Sequence, residues 1–384
     1  QHAETETDED VMFEIDTGMA LHALGGEDKT ARLAAIETLS HRLTLEVRER
    51  LFSLTEPAED GTYPEADDEI RAAADAAVQR IDMIRDLYRG AETLFFGLSL
   101  GSVLVLVGTG LAITFGVMGV INMAHGELMM LGAYTTYVVQ LLMPEHMAIS
   151  VLVAVPAAFI VAGAAGILLE RSVIRFLYGR PLETLLATFG VSLVLQQLVR
   201  SVFSANNRSV VTPDWMSGML RVNDALSITY NRLYILIFAG IVFAILLAVM
   251  KRTSLGLNIR AVSQSRSTAR AMGIRTDRVD AMTFGLGAGL AGVAGVALSQ
   301  LTNVGPNLGQ AYIIDSFMVV VFGGVGSLWG TLISGLSLGV VNQLLEPYAG
   351  AVLGKILVLI ALILFIQRRP RGLFPPTGRA AEGV

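Results

Sequence analysis

The sequence predicts an all-α, polytopic membrane protein of about eight to ten transmembrane or re-entrant helices, preceded by a small helical domain. Hydrophobic residues make up 53% of the chain and charged residues only 16%, far from the composition of an ordinary soluble domain. Beyond residue 92 the apolar runs are long enough to cross a bilayer, and the charged residues collect between them. We therefore expect a soluble helical domain at 1–91, a membrane domain at 92–375 and a tail at 376–384.

Charge is divided unevenly between these parts. Residues 1–90 hold 22 Asp and Glu against 9 Lys and Arg, whereas residues 91–384 hold 12 against 19. The basic residues of the second part lie at the ends of apolar runs, which is typical of membrane topology and argues against nucleic acid as a partner. The chain contains no cysteine, which excludes disulfides, thiolate metal sites and cysteine catalysis.

The soluble domain is expected to consist of helices. Residues 1–27 are acidic and poor in apolar residues, so we expect them to be loose, and the start at Gln1 leaves open a removed signal peptide. Two short amphipathic helices follow, and a third runs from about Glu65 into the membrane at Thr93. The apolar faces that predict the first two helices are Leu33, Ile36, Leu39 and Leu43, then Val47, Leu51 and Leu54.

The membrane domain divides into successive apolar spans. We expect spans near 93–114, 120–142, 147–169, 183–202, 232–250 and 280–301, a short and a longer segment within 312–345, and a last span at about 352–367. Glycine-rich breaks interrupt the pattern at 116–126 and again at 323–326, which predicts two interrupted regions, one in each half of an internal repeat.

Lysine and arginine indicate the orientation of these spans, because they favour the cytoplasmic side of a membrane. They concentrate at 171–180, 251–278 and 368–371, which we expect in the cytoplasm together with the C-terminus. The stretch 203–231 mixes both signs of charge and is expected outside. Counting spans back from these loops predicts that residues 1–91 are extracytoplasmic.

The most informative membrane stretch is 110–137, GLAITFGVMGVINMAHGELMMLGAYTTY. Its polar residues Asn122, His125 and Glu127 stand in otherwise apolar sequence, where polar groups persist only against protein or a water-filled path. They could line a solute path or relay protons, or they could cap and hold the break, and the structural role is favoured because a neutral solute needs no proton chemistry. Further candidates for lining the path are Phe115, Tyr134, Gln196, Gln197, Asn303 and Asn342.

The loop 251–278 is the second informative stretch. Residues 260–272 are rich in Ala and Arg and lack Gly and Pro, which predicts one short interfacial helix ended by Gly273. A basic loop that only anchors topology would explain the charge but would not require a compact helix.

Nucleotide-binding motifs are absent or misleading. Residues 287–292 match GxGxxG, but they lie in an uncharged membrane run with no preceding strand, and we interpret the glycines as a close helix–helix contact. No GxxxxGK[ST] phosphate loop occurs, so we expect no cofactor in this chain and any binding of ATP and Mg²⁺ to belong to a partner.

The stretch 110–134, with Ile121-Asn122-Met123-Ala124-His125-Gly126-Glu127 at its centre, resembles the signature of permeases of branched-chain amino acid and urea ABC importers. The similarity covers about residues 92–375. It implies a non-enzymatic subunit of the bacterial plasma membrane, in contact with lipid, that assembles with a second permease subunit, two ATPase subunits and an extracytoplasmic solute-binding protein. It also implies that the 251–278 loop docks onto the ATPase. The residues expected there are Gly256, Arg260, Arg266, Arg270 and Gly273.

Three features favour urea as the solute: the acidic domain, amides in place of charges in the spans, and a Pro375 to Glu382 tail that resembles the tail of urea permeases. The alternative within transport is a branched-chain amino acid or short-chain amide ABC permease. A secondary transporter or channel without ATPase partners is the alternative from another class, and an intramembrane hydrolase lacks a convincing nucleophile and base.

Overall fold

The computed structural model describes residues 9–57 and 63–374, so the tail used above to favour urea lies outside the described residues, as do residues 1–8. The helices are α1 (Glu9–Leu24), α2 (Lys29–Ser40), α3 (Leu45–Thr55), α4 (Asp68–Met118), α5 (His125–Leu142), α6 (Met147–Ser172), α7 (Pro181–Phe203), α8 (Tyr230–Arg252), α9 (Ser254–Gln264), α10 (Arg266–Ala271), α11 (Thr276–Ser299), α12 (Leu308–Gly323) and α13 (Leu328–Arg368). The strands are β1 (Met219–Asn223) and β2 (Leu226–Thr229), which pair with each other.

The all-α membrane class is confirmed. Within the described ranges, six helices are long and apolar enough to cross a membrane: α4, the helical stretch around α6 at Pro144–Phe176, α7, α8, α11 and α13. The α12 helix is a shorter apolar helix of 16 residues. The β1–β2 hairpin was not expected, and its two-residue Asp224-Ala225 connection is the short turn that joins antiparallel strands.

Of the described residues, those up to 93 and 219–228 form one compact unit, and 94–218 with 229–374 form another. In the first unit, α2 and α3 bury the expected face, with Leu39 and Leu51 fully inaccessible. The expectation that residues 1–27 are loose was wrong for residues 9–24, which form α1. Ala20 and Leu24, one turn apart on α1, pack into the same core, and this burial outweighs the acidic composition.

The spans of the second unit differ from the expected ones mainly at their ends. The α4 helix runs to Met118, and α5 begins only at His125, so residues 119–124 are non-helical. The 312–345 region splits into α12 and the first arm of α13, as expected. The last span was expected at 352–367, and the structure agrees, because the range given for α13 contains two helices separated by a kink at Gly350, whose φ of +73° is non-helical.

The two glycine-rich breaks meet. A Cβ built on Gly116, near the end of α4, would lie 2.6 Å from the Cα of Gly326, in the turn between α12 and α13. Such a distance leaves no room for a side chain, so glycine is required for this contact. The interrupted regions expected from the sequence are therefore neighbours in the fold.

The α11 helix is the centre of the second unit and is buried along almost its whole length. A Cβ on Gly287 would lie 2.6 Å from the carbonyl oxygen of Gly110 on α4, and one on Gly292 would lie 2.6 Å from the carbonyl oxygen of Ala158 on α6. The GxGxxG run therefore serves close helix packing, as interpreted from the sequence.

Candidate solute path at the interrupted helices

The break between α4 and α5 is held by side chains from within it and from α7. Gly119 ends α4 with a φ of +64°, a conformation that glycine adopts without strain. The Asn122 Oδ1 accepts a hydrogen bond from the Ala124 backbone N–H at 3.0 Å, and the Thr188 hydroxyl on α7 accepts one from Met123 N–H at 3.1 Å. The Nδ2 of Asn122 is buried with no hydrogen-bond partner.

His125 joins the start of α5 to α4. Its Nε2 lies 3.1 Å from the Val107 carbonyl oxygen, and because a carbonyl only accepts, Nε2 carries the proton. The imidazole is fully buried, and Nδ1 has no hydrogen-bond partner. The ring therefore braces the break and also keeps one free acceptor.

Glu127 joins the first turn of α5 to α7. Its Oε1 accepts hydrogen bonds from the Ser192 hydroxyl at 3.0 Å and from the Gln196 Nε2 at 2.8 Å. The Glu127 side chain is 1% exposed, and its Oε2 has no hydrogen-bond partner. That oxygen faces the start of α12, since a Cβ built on Gly309 would lie 2.7 Å from it.

A polar stripe on α7 faces this cluster, and sequence reasoning missed all of it except Gln196. Its members recur every fourth residue and are buried: Thr184, Thr188, Ser192 and Gln196. Spacing by four puts side chains on one face of a helix, so this recurrence in an apolar span was the available signal. One turn further on, Arg200 donates a hydrogen bond to the Asn307 side chain at 2.6 Å.

Two further candidates for the path, Tyr134 and Phe115, lie within the packed interior. Tyr134 is buried with an unpartnered hydroxyl, and its ring lies 4.8 Å from that of Phe203. Phe115 is half-buried against a small apolar cluster of Leu111, Ala112 and Val320, and contributes packing.

Three amides predicted to line the path are not brought to the Glu127 cluster. Gln197 was grouped with Gln196, but it lies on the exposed face of α7, because adjacent helical residues point about 100° apart. Asn303 is exposed in the loop between α11 and α12. Asn342 is half-buried on α13 with an unpartnered Oδ1.

The segment expected to dock onto an ATPase folds as two helices, which corrects the expectation of one helix over 260–272. Ser265 has an extended backbone and caps α10 by accepting a hydrogen bond from Thr268 N–H at 3.3 Å. Gly273 ends the segment with a φ of +88°, as expected. Gly256 is buried against the Met250 carbonyl, so it packs internally.

The arginines of this segment differ in exposure. Arg260 and Arg270 are exposed, whereas Arg266 is partly buried and bound within the chain. Arg260 also lines a cavity of about 280 Å³ that reaches both glycine breaks, with Gly116, Gly326, Lys251 and Ser263 among the lining residues. The cavity therefore lies between α9 and the two breaks, and no residue of the Glu127 cluster lines it. No group of histidines and carboxylates suited to a metal ion occurs among residues 9–57 and 63–374.

Comparison with known proteins gives the class of this membrane unit. Residues 93–366 match the family model described as branched-chain amino acid transport system / permease component. The chain belongs to this permease family. The permease is 32% identical over 292 residues to the high-affinity branched-chain amino acid transport system permease protein LivH of Salmonella typhimurium, covering 73% of this chain and 94% of the relative.

Two further relatives extend the comparison. The permease is 30% identical over 298 residues to BraD of Pseudomonas aeruginosa, covering 75% of this chain and 96% of that permease protein. It is 25% identical over 311 residues to the permease protein LivM of Escherichia coli, covering 73% and 69%. No solved structure matches the chain. The matched region leaves out α1, α2 and α3.

Proposed function

We propose that this permease carries a branched-chain amino acid across a bacterial plasma membrane, driven by ATP hydrolysis in partner subunits. The observation that carries the proposal is the buried Glu127 cluster at the break between α4 and α5, inside the region that matches the permease family. The names of the relatives that cover most of this chain support the solute class.

The charges near the break suit an amino acid zwitterion. The unpartnered Oε2 of Glu127 is an acceptor for an ammonium group. Arg200 lies one helical turn beyond Gln196 and is the nearest arginine along the α7 stripe, where it would pair with a carboxylate. Glu127 and Arg200 therefore weaken one reason for favouring urea, which was the scarcity of charged residues in the spans.

Urea is the second candidate, and the unpartnered atoms around the break favour it. The Asn122 Nδ2 is a free donor, while the His125 Nδ1 and the Glu127 Oε2 are free acceptors. A small neutral amide carries both donors and acceptors and so offers a partner for each kind of free atom. The case for urea rests on these unpartnered atoms alone, whereas the amino acid proposal also has the relatives behind it.

The proposed assembly contains a second permease subunit, two ATPase subunits and an extracytoplasmic solute-binding protein. In this arrangement α9 and α10 face the cytoplasm, because the loop that contains them is rich in arginine, and residues 1–91 face outward. The chain itself provides the path, and ATP and Mg²⁺ belong to the ATPase subunits.

Uptake by the assembled complex in proteoliposomes tests the proposal. We expect ATP-dependent accumulation of labelled leucine that excess unlabelled isoleucine suppresses and excess urea does not. Accumulation of labelled urea without leucine would instead support the second candidate. Solute entry that is independent of ATP and of partner subunits would contradict both and indicate a channel or secondary transporter.

A further inference from the structure

A buried ion pair ties the α9–α10 segment to α11. The Arg266 guanidinium donates to both carboxylate oxygens of Asp280, with Nη1 at 3.2 Å from Oδ1 and Nη2 in contact with Oδ2. The Asp280 side chain is completely buried, whereas that of Arg266 is 36% exposed. A guanidinium that makes two parallel contacts fixes direction as well as distance.

The same arginine also reaches the end of α6. Its guanidinium carbon lies 4.8 Å from the centre of the Tyr178 ring, and the Tyr178 hydroxyl donates a hydrogen bond to Glu170 Oε1 at 3.1 Å. Glu170 belongs to α6, and Tyr178 lies in the connection between α6 and α7. We call Arg266, Asp280, Tyr178 and Glu170 the clip, because they hold α10 against α6 and α11.

The clip closes a short loop whose far end is exposed. Between Arg266 and Asp280 the chain passes through Arg270, with 66% of its side chain exposed, and Met272, which is 80% exposed. Arg270 donates a hydrogen bond to the Thr276 hydroxyl at 3.0 Å and makes a long contact of 3.8 Å with the exposed Asp277, and most of its side chain stays exposed. A partner could therefore touch the tip at Arg270 and Met272, while Arg266 is already bound within the chain.

The α11 helix connects the clip to the interrupted helices. Beyond Asp280, three of its glycines, Gly287, Gly292 and Gly295, lie directly against the backbones of neighbouring helices. Gly292 packs against Gly132, and Gly295 lies against the Met129 carbonyl, both on α5. Backbone-to-backbone packing leaves little room for independent sliding, so α5 must follow a shift of α11. Glu127 lies in the first turn of that same α5.

We propose that the clip is the joint through which force on the Arg270–Met272 tip reaches the solute path. Arg266, Asp280 and Tyr178 are positioning residues in this role, since they act through α11 and touch no solute. The proposal rests on the proposed function for the source of the force, which is an ATPase subunit, and it makes the clip necessary for transmission. Rigid elements joined by a discrete contact are a usual means of such transmission.

The first test measures the joint itself and needs no ATPase. Because the chain contains no cysteine, Met272→Cys introduces a unique site for a nitroxide spin label. We expect the label to become more mobile when Asp280→Asn weakens the clip, and Asp214→Asn, the same change at an exposed acid between α7 and α8, to leave its mobility unchanged. Equal mobility in the Asp280→Asn and parent proteins would overturn the clip whether or not the chain works with an ATPase.

The second test measures coupling in the assembled complex. We expect Asp280→Asn to lower the ratio of solute-stimulated to basal ATP hydrolysis by about 5-fold or more, the lower end of typical allosteric couplings, with basal hydrolysis retained. Asp214→Asn, which changes an exposed acid outside the clip and the tip, should leave the ratio at its parent value. If Asp280→Asn shows the same ratio of stimulated to basal ATP hydrolysis as the parent complex, the proposal is overturned. Failure of the parent complex to hydrolyse ATP would count against the proposed function, and the label measurement would still decide the clip.

Two milder variants cover the case in which Asp280→Asn fails to fold. Tyr178→Phe keeps the ring under Arg266 but removes the hydrogen bond to Glu170, and the double variant Arg266→Gln with Asp280→Asn removes both charges of the ion pair together. Both should fold and show a lowered stimulation ratio. A parent ratio in both would contradict the proposal.

Discussion

The contact between Gln196 and Glu127 gives the sharpest prediction about the interrupted helices. Gln196→Leu removes the 2.8 Å hydrogen bond from Nε2 and leaves Oε1 of Glu127 with Ser192 as its donor. Gln197→Leu makes the same chemical change one residue away, on the exposed face of α7. The two variants therefore differ only in the side of the helix that they alter.

The magnitude follows from the burial and charge of the acceptor. A hydrogen bond to a charged group contributes about 1.5–3 kcal/mol in water-soluble proteins, while interhelical hydrogen bonds in membranes average about 0.6 and reach about 1.7 kcal/mol. Because Glu127 is 1% exposed, no water replaces the lost donor, and we expect a loss of about 1–2 kcal/mol in the free energy of unfolding for Gln196→Leu. Gln197→Leu should stay within about 0.5 kcal/mol of the parent.

Reversible unfolding in mixtures of SDS and mild detergent, followed by circular dichroism, measures both values. Combining Gln196→Leu with Ser192→Ala should give a loss that differs from the sum, because both side chains donate to one oxygen. An equal loss for Gln196→Leu and Gln197→Leu would refute the reasoning, since it would mean that α7 does not hold the break through Glu127.

Three further predictions concern other parts of the chain. Gly132→Ala puts a Cβ onto the backbone of Gly292 and should destabilise the protein by about 1–3 kcal/mol, whereas Gly190→Ala, which points into open space, should be neutral or slightly stabilising, both by the same unfolding measurement. The Arg32 guanidinium holds the pKa of Glu65 below its ordinary value of 4.5, so the stability that Glu65 contributes is complete above that pH and is lost as the pH falls through the lowered pKa. The hydrogen-exchange protection factors of residues 9–57, which correct for the slower intrinsic exchange in acid, should therefore fall in that range, and Glu65→Gln should weaken the pH dependence. Lys355→Met leaves the 5% exposed Asp315 carboxylate without its 2.8 Å partner and should cost about 1–3 kcal/mol, while adding Asp315→Asn should recover part of that loss in a double-mutant cycle.

The sequence was sufficient for features that arise from local pattern. Apolar runs gave the membrane class, and Asn122 accepts a hydrogen bond within its own turn, from an N–H two residues away. The contacts that depend on distant residues were not predictable in the same way. Glu127 is 65 residues from Ser192 in the chain, and the face of α7 that it meets follows only from how the helices pack.

The errors have similar physical origins. Gln196 and Gln197 look equivalent as a pair of adjacent amides, but the helix turns one inward and the other outward. The α1 helix was missed because its composition is acidic, although Ala20 and Leu24 find a core to join. Residues 260–272 were expected to form one helix, yet the Ser265 side chain competes for the backbone N–H of Thr268 and divides the segment.

The central claim is that solute passes along the α7 stripe beside Glu127, and thiol labelling tests it most directly. Ser192→Cys replaces a hydroxyl by a thiol in a chain without cysteine, at the position that donates to Glu127. In the complete complex turning over ATP, a charged, water-soluble methanethiosulfonate should modify this cysteine, and excess solute should slow the reaction. Gln197→Cys should stay unmodified, because we expect the outer face of this membrane span to meet lipid, where a thiol is not ionised. A Ser192→Cys thiol that never reacts, or that reacts at the same rate with and without solute, would contradict the account.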